Sequence, residues 1–583
     1  MPNDRTIPSE APKSVCTFTI LSEGNAVSKT YQVLSIVVNK EINRVPSASI
    51  IIMDGEPSKQ SFEISNKDDF IPGKNIEIKA GYRANEETIF KGIVIKHGIK
   101  IRKTSSVLVV ECRDVAIKMT VVCKNKYFTD LKDSDMIEEL ISPYQIDKDV
   151  DASTVQQKEI VQYNTTDWDM LLCRADVNSL LCIASDGKLS VKKPDFTSDT
   201  ALTIQYGATV HDLDAEIDAR YQLKGVKAIA WNSTDQEMIT DVESEDPGVP
   251  DAGNLSADTL SGVIGADDFQ LQHSGKLPDQ ELQQWANSKM LRHRLAKLRG
   301  RVTTDGTPAV IPGKMIELKG VGERFEGKLF VTGVRHEINK GDWKTTFQFG
   351  VNPEWFAQTY EVQQPLAGAL LPAVQGLQIG VVTKLENDPD GEDRIMVRLP
   401  NISTQEDGIW SRVSTLDAGD KRGTFFRPEI GDEVIVGFIN NDPRFAMILG
   451  MLNSSKKPAP LTASDKNDEK GYVSRSEMKM IFNDDKKTID IETPAGNKVL
   501  ISEDEKMIQL TDQNGNKITM NQDGIKLESI KDIVMTTSAG DVKMEGVNAN
   551  LKGSAQVKVE GSAGAEISSS GSTAVKGSIV QIN

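Results

Sequence analysis

Hydrophobic and polar residues alternate in short runs over the first part of the chain. The runs Val33–Val38, Ile76–Ala80 and Val107–Glu111 are rich in β-branched residues and lie near stretches that contain Gly, Pro, Asn or Ser. Such alternation is typical of strands that bury one face, and the residues between the runs favour turns. The pattern predicts a β-barrel or β-sandwich within residues 1–130.

The spacing of apolar residues changes within residues 131–232. Ser134–Ile141 and Trp168–Arg174 carry apolar residues at helical intervals, and Ser134 and Thr166 are the predicted N-caps. Strand alternation resumes at Leu189–Val191. We therefore predict a small α/β insertion with connecting strands.

An acidic segment that contains Pro, Gly and Ser occupies residues 233–268. Asp241–Asp268 is predicted to be an exposed loop. Glu281–Leu298 then has helical apolar spacing, and residues 301–352 return to strand alternation. Residues 269–365 are accordingly predicted to form a helix and a second β-barrel.

One motif occurs twice at a separation of 240 residues. Ile71–Lys79 resembles Ile311–Lys319, and both contain Ile-Pro-Gly-Lys ahead of a strand. Each copy continues into an apolar strand with a glycine and then reaches a histidine, His97 or His336, at nearly the same offset. The repeat predicts two similar barrels in one chain, so three chains would present six.

Residues 373–453 are predicted to form a compact third β unit. Gly380–Val382, Arg394–Leu399 and Gly431–Ile439 are strand-like. Roughly five strands in so short a span indicate a small closed barrel such as an OB-fold. A polar linker is predicted over residues 454–476.

Two repeats occupy residues 477–583. In the first, Ile489–Ile491 and Gly496–Val499 recur 19 residues later as Ile508–Leu510 and Gly515–Ile518. The second has a period of eight residues. Its main apolar positions are Leu551, Val557, Val559, Ile567, Val575 and Ile579, and its glycines are Gly553, Gly561 and Gly577.

The apolar stripe of these octads is too sparse to stabilise a fold by itself. At about 25 cal/mol per Å² of buried apolar surface, one Val or Ile with two small residues does not offset roughly 1–2 kcal/mol of backbone ordering per residue. Three identical strips would cover one another and pair their edges. We therefore expect a trimeric intertwined β-helix, or β-prism. A single-chain β-solenoid stays open as an alternative.

Composition excludes several classes of protein. The 583-residue chain carries 85 acidic and 68 basic residues, a net charge of −17, which disfavours binding to a nucleic-acid backbone. No run approaches the ~20 apolar residues of a membrane span. Met1–Pro12 has no apolar core, so no signal peptide is expected. Five scattered cysteines without a CxxC pair are expected to be buried apolar side chains.

No motif for catalysis, metal binding or cofactor binding is recognised. The glycines from Gly320 to Gly327 lack the following helix of a phosphate loop, and Asp388–Asp393 has a proline and the wrong length for a calcium loop. A solvated hairpin turn is expected at Asp388–Asp393. His293, between two arginines on a predicted helix, is expected at the surface.

The third unit carries the most specific motif of the chain, which consists of Trp410, Arg412, Pro428, Gly431, Val434, Phe438, Asp442 and Pro443. With this motif of the OB unit, the chain resembles the VgrG family of spike proteins from contractile injection systems. Phe330–Glu337 with Trp343 is similar to the second hub barrel of that family. The octads are similar to its V-x-G needle repeat, from which Ile567–Ser569 departs at the glycine.

The resemblance implies a mainly β homotrimer with tandem hub β-barrels, a small α/β insertion, an OB-fold and a C-terminal needle. The hub would seat on a hexameric tail tube protein among baseplate and sheath components, and the needle would carry a PAAR-type tip protein at Ile582 and Asn583. Effector cargo and, transiently, a target membrane are further implied partners. The chain would wait in the cytoplasm, join the particle and be fired, with no enzymatic activity and no cofactor or metal.

Two other functions remain open at this point. A trimeric tail-fibre adhesin could also use a β-prism, although it would have no need of a duplicated barrel. A cell-wall hydrolase spike would need a catalytic domain between the OB unit and the needle, where Ser454–Ser476 is too short for such a fold.

Overall fold

The computed structural model describes residues 15–265 and 268–582, and the chain divides into a unit of residues 1–373 and a unit of residues 374–583. The segment Met1–Pro12, in which no signal peptide is expected, lies outside the described residues. No helix among the described residues is long and apolar enough to cross a membrane.

Strands dominate the first unit. They are β1 (Cys16–Ser22), β2 (Asn25–Ala26), β3 (Val33–Glu41), β4 (Ser47–Met53), β5 (Asn75–Tyr82), β6 (Asn85–Ile101), β7 (Ser106–Arg113), β8 (Cys123–Lys132), β9 (Asp147–Val150), β10 (Gln156–Thr166), β11 (Leu181–Ser185), β12 (Lys188–Lys192), β13 (Leu202–Gln205), β14 (Asp212–Ile217), β15 (Val226–Asn232), β16 (Glu237–Glu243), β17 (Phe269–His273), β18 (Leu298–Asp305), β19 (Met315–Lys319), β20 (Gly327–Asn339) and β21 (Asp342–Phe349). The helices are α1 (Asp133–Ile141), α2 (Asp167–Val177), α3 (Ala257–Ile264), α4 (Asp279–Leu295) and α5 (Phe356–Thr359).

Thirteen of these strands form one continuous sheet. Its main path is β14-β18-β21-β20-β3-β4-β7-β6-β5-β1-β2, and β19 and β13 extend it from β20. Antiparallel pairing of β20 with β3 joins a C-terminal half to an N-terminal half. This pairing merges both halves into one sheet in the single chain, and the tandem hub barrels stay a prediction.

Each half of the sheet has its own apolar core. Phe70 and Phe90 are fully buried in the N-terminal core, and Phe347 and Val302 are fully buried in the C-terminal core. Trp343, at the β20–β21 hairpin, packs into the N-terminal core. The two halves therefore share packing as well as strand pairing.

The repeated Ile-Pro-Gly-Lys motif forms the same turn in both halves. The backbone N–H of Gly73 donates to the carbonyl of Val94, and that of Gly313 donates to the carbonyl of Val331, both at 2.8 Å. Val94 is thus equivalent to Val331, 237 residues later, because the second hairpin is three residues shorter. The predicted equivalence of His97 and His336 is wrong for this reason.

The α/β insertion is present, with α1 and α2 packed on a small core. Thr166 is confirmed as an N-cap, since its hydroxyl accepts from the backbone N–H of Asp169 at 3.1 Å. Ser134 is not a cap, because α1 begins one residue earlier and the Asp135 carboxylate accepts from the Lys132 N–H. Strands β13 and β14 pair within the C-terminal half of the large sheet, so the predicted boundary at residue 232 is too late for them.

The acidic segment contains regular structure. The end of β16 and the whole of α3 lie where Asp241–Asp268 was predicted to be an exposed loop. The Ser256 hydroxyl caps α3 by accepting from the Thr259 N–H, and Leu260 is buried. The loop prediction is wrong there, because a capped amphipathic helix was hidden among polar residues.

Helix α4 confirms the predicted helix, but His293 is not at the surface. Its side chain is only 7% exposed, and its Nδ1 donates to the backbone carbonyl of Tyr221. Arg292 pairs with Asp176, and Arg294 donates to the carbonyl of Leu223. The helix is covered on several sides, so flanking arginines did not indicate exposure. Burial lowers the pKa of His293 to about 4.

The second unit contains a closed barrel followed by a meander. Its strands are β22 (Gln378–Lys384), β23 (Ile395–Arg398), β24 (Ile409–Val413), β25 (Ala418–Gly419), β26 (Arg422–Gly423), β27 (Glu433–Phe438), β28 (Ala446–Leu452), β29 (Glu469–Val473), β30 (Lys479–Asn483), β31 (Thr488–Glu492), β32 (Lys498–Ser502), β33 (Met507–Thr511), β34 (Lys517–Asn521) and β35 (Gly524–Glu528).

The barrel closes in the order β22-β23-β24-β28-β27, which confirms the predicted small closed barrel. Strands β29 to β35 pair in chain order as a seven-stranded antiparallel sheet. Because β29 falls within residues 454–476, the predicted linker ends earlier than expected. No strand is assigned between residues 529 and 582, so the octads do not form a β-helix in a single chain.

Candidate assembly surfaces

One face of the seven-stranded sheet consists of apolar side chains. Pairing registers align them in two rows that cross six strands, one residue from each strand in each row. The first row is Phe482, Ile489, Ile501, Ile508, Met520 and Ile525. The second row is Met480, Ile491, Val499, Leu510, Ile518 and Leu527. We call these twelve residues the ladder face.

The ladder face is open in the single chain. Ile508 is 40% exposed although it has a strand on each side, and Ile525 at the last strand is 73% exposed. A groove of about 490 Å³ lies on this face and is lined by Leu510, Ile518 and Ile533 among others. An exposed apolar surface of this extent is typical of an interaction site.

The opposite face of the same sheet is mainly polar, although Ile481 and Leu500 lie in its central row. Its central row includes Asp490, Gln509 and Thr519, and Lys498 forms an ion pair with Asp490. The sheet therefore has one face suited to water and one that requires a cover. Sheets with this asymmetry pack their apolar face against another layer.

The two halves of the 19-residue duplication form equivalent hairpins. Gly496 and Gly515 occupy the turns with φ of 92° and 90°, a region that favours glycine. In each turn the glycine N–H donates to the residue three positions earlier, Thr493 or Asp512. The duplicated turns keep successive strands in the register that aligns the ladder face.

The octad residues are exposed along their whole length. Leu551, Val559 and Ile567 are 75%, 68% and 83% exposed. Val557, Val575 and Ile579 are likewise at least half exposed, and the glycines Gly553, Gly561 and Gly577 lie between them outside any assigned strand. Ile582 is exposed at the end of the described chain, and its predicted partner residue Asn583 lies outside the described residues.

The motif residues of the OB unit support the barrel and its turns. Val434 is fully buried in the barrel core, and Pro428 is buried in the loop before β27. Gly431 adopts a φ of 86°, and its N–H donates to the carbonyl of Val382. Trp410 and Phe438 are partly buried on β24 and β27, while Arg412 is exposed on β24.

Asp442 shapes the turn that contains Pro443. Its carboxylate accepts from the backbone N–H of Arg444 at 2.9 Å and from the Arg444 guanidinium at 2.6 Å and 3.0 Å. These hydrogen bonds lower the pKa of Asp442. The role of this motif residue is therefore to hold a turn.

The two weak ligand motifs are hairpin turns. The segment Gly320–Gly327 connects the antiparallel strands β19 and β20, with no helix after it. Asp388 accepts from the backbone N–H groups of Asp390 and Glu392 and from the Arg394 guanidinium, which lowers its pKa. Both segments have a structural explanation. No cluster of three potential metal ligands occurs among the described residues.

Residues 12–340, more than half of the chain, match the family described as the Alg8 N-terminal domain. The chain belongs to this family. Residues 378–452 match the type VI secretion system/phage-baseplate injector OB domain, over the span of the closed barrel. VgrG spike proteins of type VI secretion are homologues of this chain.

Among these relatives, the type VI secretion system spike protein VgrG1b of Pseudomonas aeruginosa is 26% identical over 218 residues, 34% of this chain and 28% of the relative. Spike protein VgrG3 of Vibrio cholerae is 31% identical over 105 residues, 16% of this chain and 10% of the relative. The chain thus covers less than a third of the length of either relative.

Solved structures with a similar chain include a tail protein from Neisseria meningitidis. It is 16% identical, covers 59% of this chain and 98% of its own, and superposes with a TM-score of 0.43. An Escherichia coli component of the type VI secretion system is 12% identical, covers 74% of this chain and 99% of its own, and has a TM-score of 0.39.

The ladder face is the feature that sequence reasoning missed. The 19-residue duplication is evident in the sequence. The two apolar rows, however, depend on the pairing register of six strands, which the sequence does not state. The usable signal was the alternation within each five-residue strand, as in Met480–Phe482 and Ile518–Met520.

Proposed function

We propose that the chain is the structural, non-enzymatic spike and hub subunit of a contractile injection apparatus and that it acts as a homotrimer. Its first unit adapts a hexameric tail tube protein to the spike, and the OB barrels form a collar. The meander and octads form a needle that punctures the target membrane and carries a PAAR-type tip protein. The homologous VgrG spikes and the matching OB domain support this function.

The ladder face is the observation that carries the proposal. Twelve apolar side chains on one sheet face, followed by a stripe of exposed octad residues, form a surface that a single chain leaves open. Two identical copies supply the same geometry and the same apolar rows, so a threefold arrangement covers all three faces at once. A stiff, closed β-prism results, and stiffness is the property that penetration requires.

The continuation from meander to octad supports a needle over an adhesin. Both segments place apolar residues at every second position along one side, and they differ only in how many of these positions are large. A ligand-binding fibre would need a polar recognition pocket, whereas the exposed lining of the groove on the ladder face is mainly apolar surface, contributed by residues such as Leu510 and Ile533. We therefore place this surface inside the trimer.

The test is the mass and shape of the purified full chain. Mass photometry is expected to show a trimer, and negative-stain electron microscopy a broad base with a thin rod. The substitution Ile508→Asp is expected to abolish the trimer, whereas Gln509→Asp on the opposite face of the same strand is expected to preserve it. A monomeric wild-type chain, or equal effects of the two substitutions, would overturn the proposal.

A further inference from the structure

The two halves of the large sheet share one pairing plan. In the N-terminal half the strands neighbour one another in the order β1-β5-β6-β7-β4-β3, and in the C-terminal half in the order β13-β19-β20-β21-β18-β14. The hydrogen-bonded turns make Val94 of β6 equivalent to Val331 of β20, and both strands have a bulge directly afterwards. Strand β3 is in turn equivalent to β14.

One seam of this plan is filled within the chain. The C-terminal part of β20 pairs on one side with β21 and on the other with β3, from Gly333 opposite Glu41 to Asn339 opposite Ser35. His336 and Ile338 of β20 are only 4% and 3% exposed as a result.

The two strand edges that would form the equivalent seam are not paired with each other in the single chain. The C-terminal part of β6 pairs with β7, and β14 pairs with β18, but neither has a second partner strand among the described residues. Ile99 and Ile101, at the positions equivalent to His336 and Ile338, are 48% and 62% exposed. Apolar residues on an unpaired strand edge are a ready template for another strand.

We infer that β14 of one copy of this chain pairs antiparallel with residues 96–102 of a second copy, and that three such seams close the ring. The inference rests on the proposed trimer and names the strands that form it. The register is copied from the pairing of β20 with β3. It places Lys96, Gly98, Lys100 and Arg102 opposite Asp218, Glu216, Asp214 and Asp212 of the neighbouring copy, respectively.

Charge supports this register independently. Lys96, Lys100 and Arg102 each face an aspartate across the seam, although the register was fixed by backbone hydrogen bonds alone. The alternate positions bring His97, Ile99 and Ile101 opposite Ile217, Ala215 and Leu213, so one face of the seam is ionic and the other apolar. Oppositely charged and apolar cross-strand pairs both stabilise a sheet.

The filled seam lacks this charge pattern. Its outward positions pair Glu337 with Val37 and Asn339 with Ser35. A slip of one residue in the proposed seam would place each lysine opposite an apolar residue and turn the apolar residues outward. The ionic row therefore specifies which edges meet and in which register.

Disulfide trapping in the full chain tests the seam. In a Cys123→Ser background, Ile99→Cys combined with Ala215→Cys is expected to give covalent dimers and trimers under mild oxidation. The matched control, Ile99→Cys with Asp214→Cys, places the two thiols on opposite faces and is expected to give none. The mass of each variant is measured alongside.

The outcomes separate the seam from the proposed function. A trimer without the Ile99–Ala215 cross-link, or with equal cross-linking in the control, overturns the seam and leaves the spike intact. A monomer overturns both. A cross-link in register with none in the control supports the seam.

A charge swap provides the second test. Arg102→Glu is expected to weaken trimer association by about fivefold for each seam, because it opposes two like charges. Arg102→Glu combined with Asp212→Arg is expected to restore it, and Lys158→Glu on the exposed strand β10 is expected to leave it unchanged. Failure of the swap to restore association would overturn the proposed register.

Discussion

The substitution Ile508→Ala measures how much the ladder face contributes to assembly. Ile508 is 40% exposed in the single chain, and full burial of an isoleucine is worth about 1.5–3 kcal/mol. The part that remains to be buried in a trimer is thus roughly 0.6–1.2 kcal/mol per chain, or about 2–4 kcal/mol for three chains.

The expected loss is large enough to measure. A change of about 2–4 kcal/mol corresponds to a roughly 30- to 700-fold weaker three-chain association constant. Sedimentation velocity over a dilution series measures this constant, and thermal unfolding of the OB barrel checks that the chain is folded. Gln509→Ala, which lies on the polar face of the same strand, is the matched control.

Two patterns of association would contradict burial of the ladder face in the trimer. If Ile508→Ala and Gln509→Ala change association equally, or if neither changes it, the ladder face is not the covered surface. A change confined to Ile508→Ala is the result that the burial argument predicts.

Three further predictions concern stability. Gly496→Ala is expected to lower the unfolding free energy by about 1–2 kcal/mol, because a φ of 92° strains a residue with a Cβ. Gly450→Ala, whose Cβ would meet no neighbour, is expected to be tolerated, and equal unfolding midpoints of the two variants in urea would contradict this. Arg174→Met is expected to lower the unfolding free energy by about 3–5 kcal/mol, since it leaves the buried carboxylate of Asp133 without its ion-pair partner. Lys126→Met, at the exposed pair with Glu139, is expected to lower it by less than about 1 kcal/mol in the same urea titration. Burial lowers the pKa of His293 to about 4 and of His336 to about 3, so these histidines take up protons in the unfolded chain at a higher pH than in the folded one. The unfolding free energy of the first unit is therefore expected to fall as the pH drops from about 6.5, and a value that stays constant down to about pH 4 would contradict the burial.

Features that depend on neighbouring residues were predictable from the sequence. The Thr166 cap, the turn at Asp388 and the closed OB barrel follow from local spacing and turn chemistry, and the structure contains each of them. The glycine turns of the 19-residue duplication were equally visible, because a short repeat preserves its own register.

Features that depend on distant pairing were not predictable in this way. The sheet is continuous because β20 pairs with β3, and strands so far apart in sequence leave no local signal of their pairing. His97 and His336 follow the two copies of the motif at nearly the same distance in sequence. Because the second hairpin is three residues shorter, His336 lies at the position equivalent to Ile99 instead. His293 was predicted at the surface because its neighbours are arginines, yet both arginines point to partners within the fold.

The octads are expected to be ordered only by contacts that a single chain does not supply. Their period is evident in the sequence, and their side chains are exposed in the single chain, so the intertwined β-helix stays a prediction about three chains. A stripe of one large residue per strand cannot order its own backbone, so exposed octads in one chain favour an assembly of several chains.

Sedimentation equilibrium of the full chain tests this account most directly. We predict a mass three times the 63.9 kDa of one chain at micromolar concentration, with no monomer at the lowest loading. A single species at the mass of one chain, with the OB barrel folded, would contradict the claim that the ladder face and the octads are covered by two further copies.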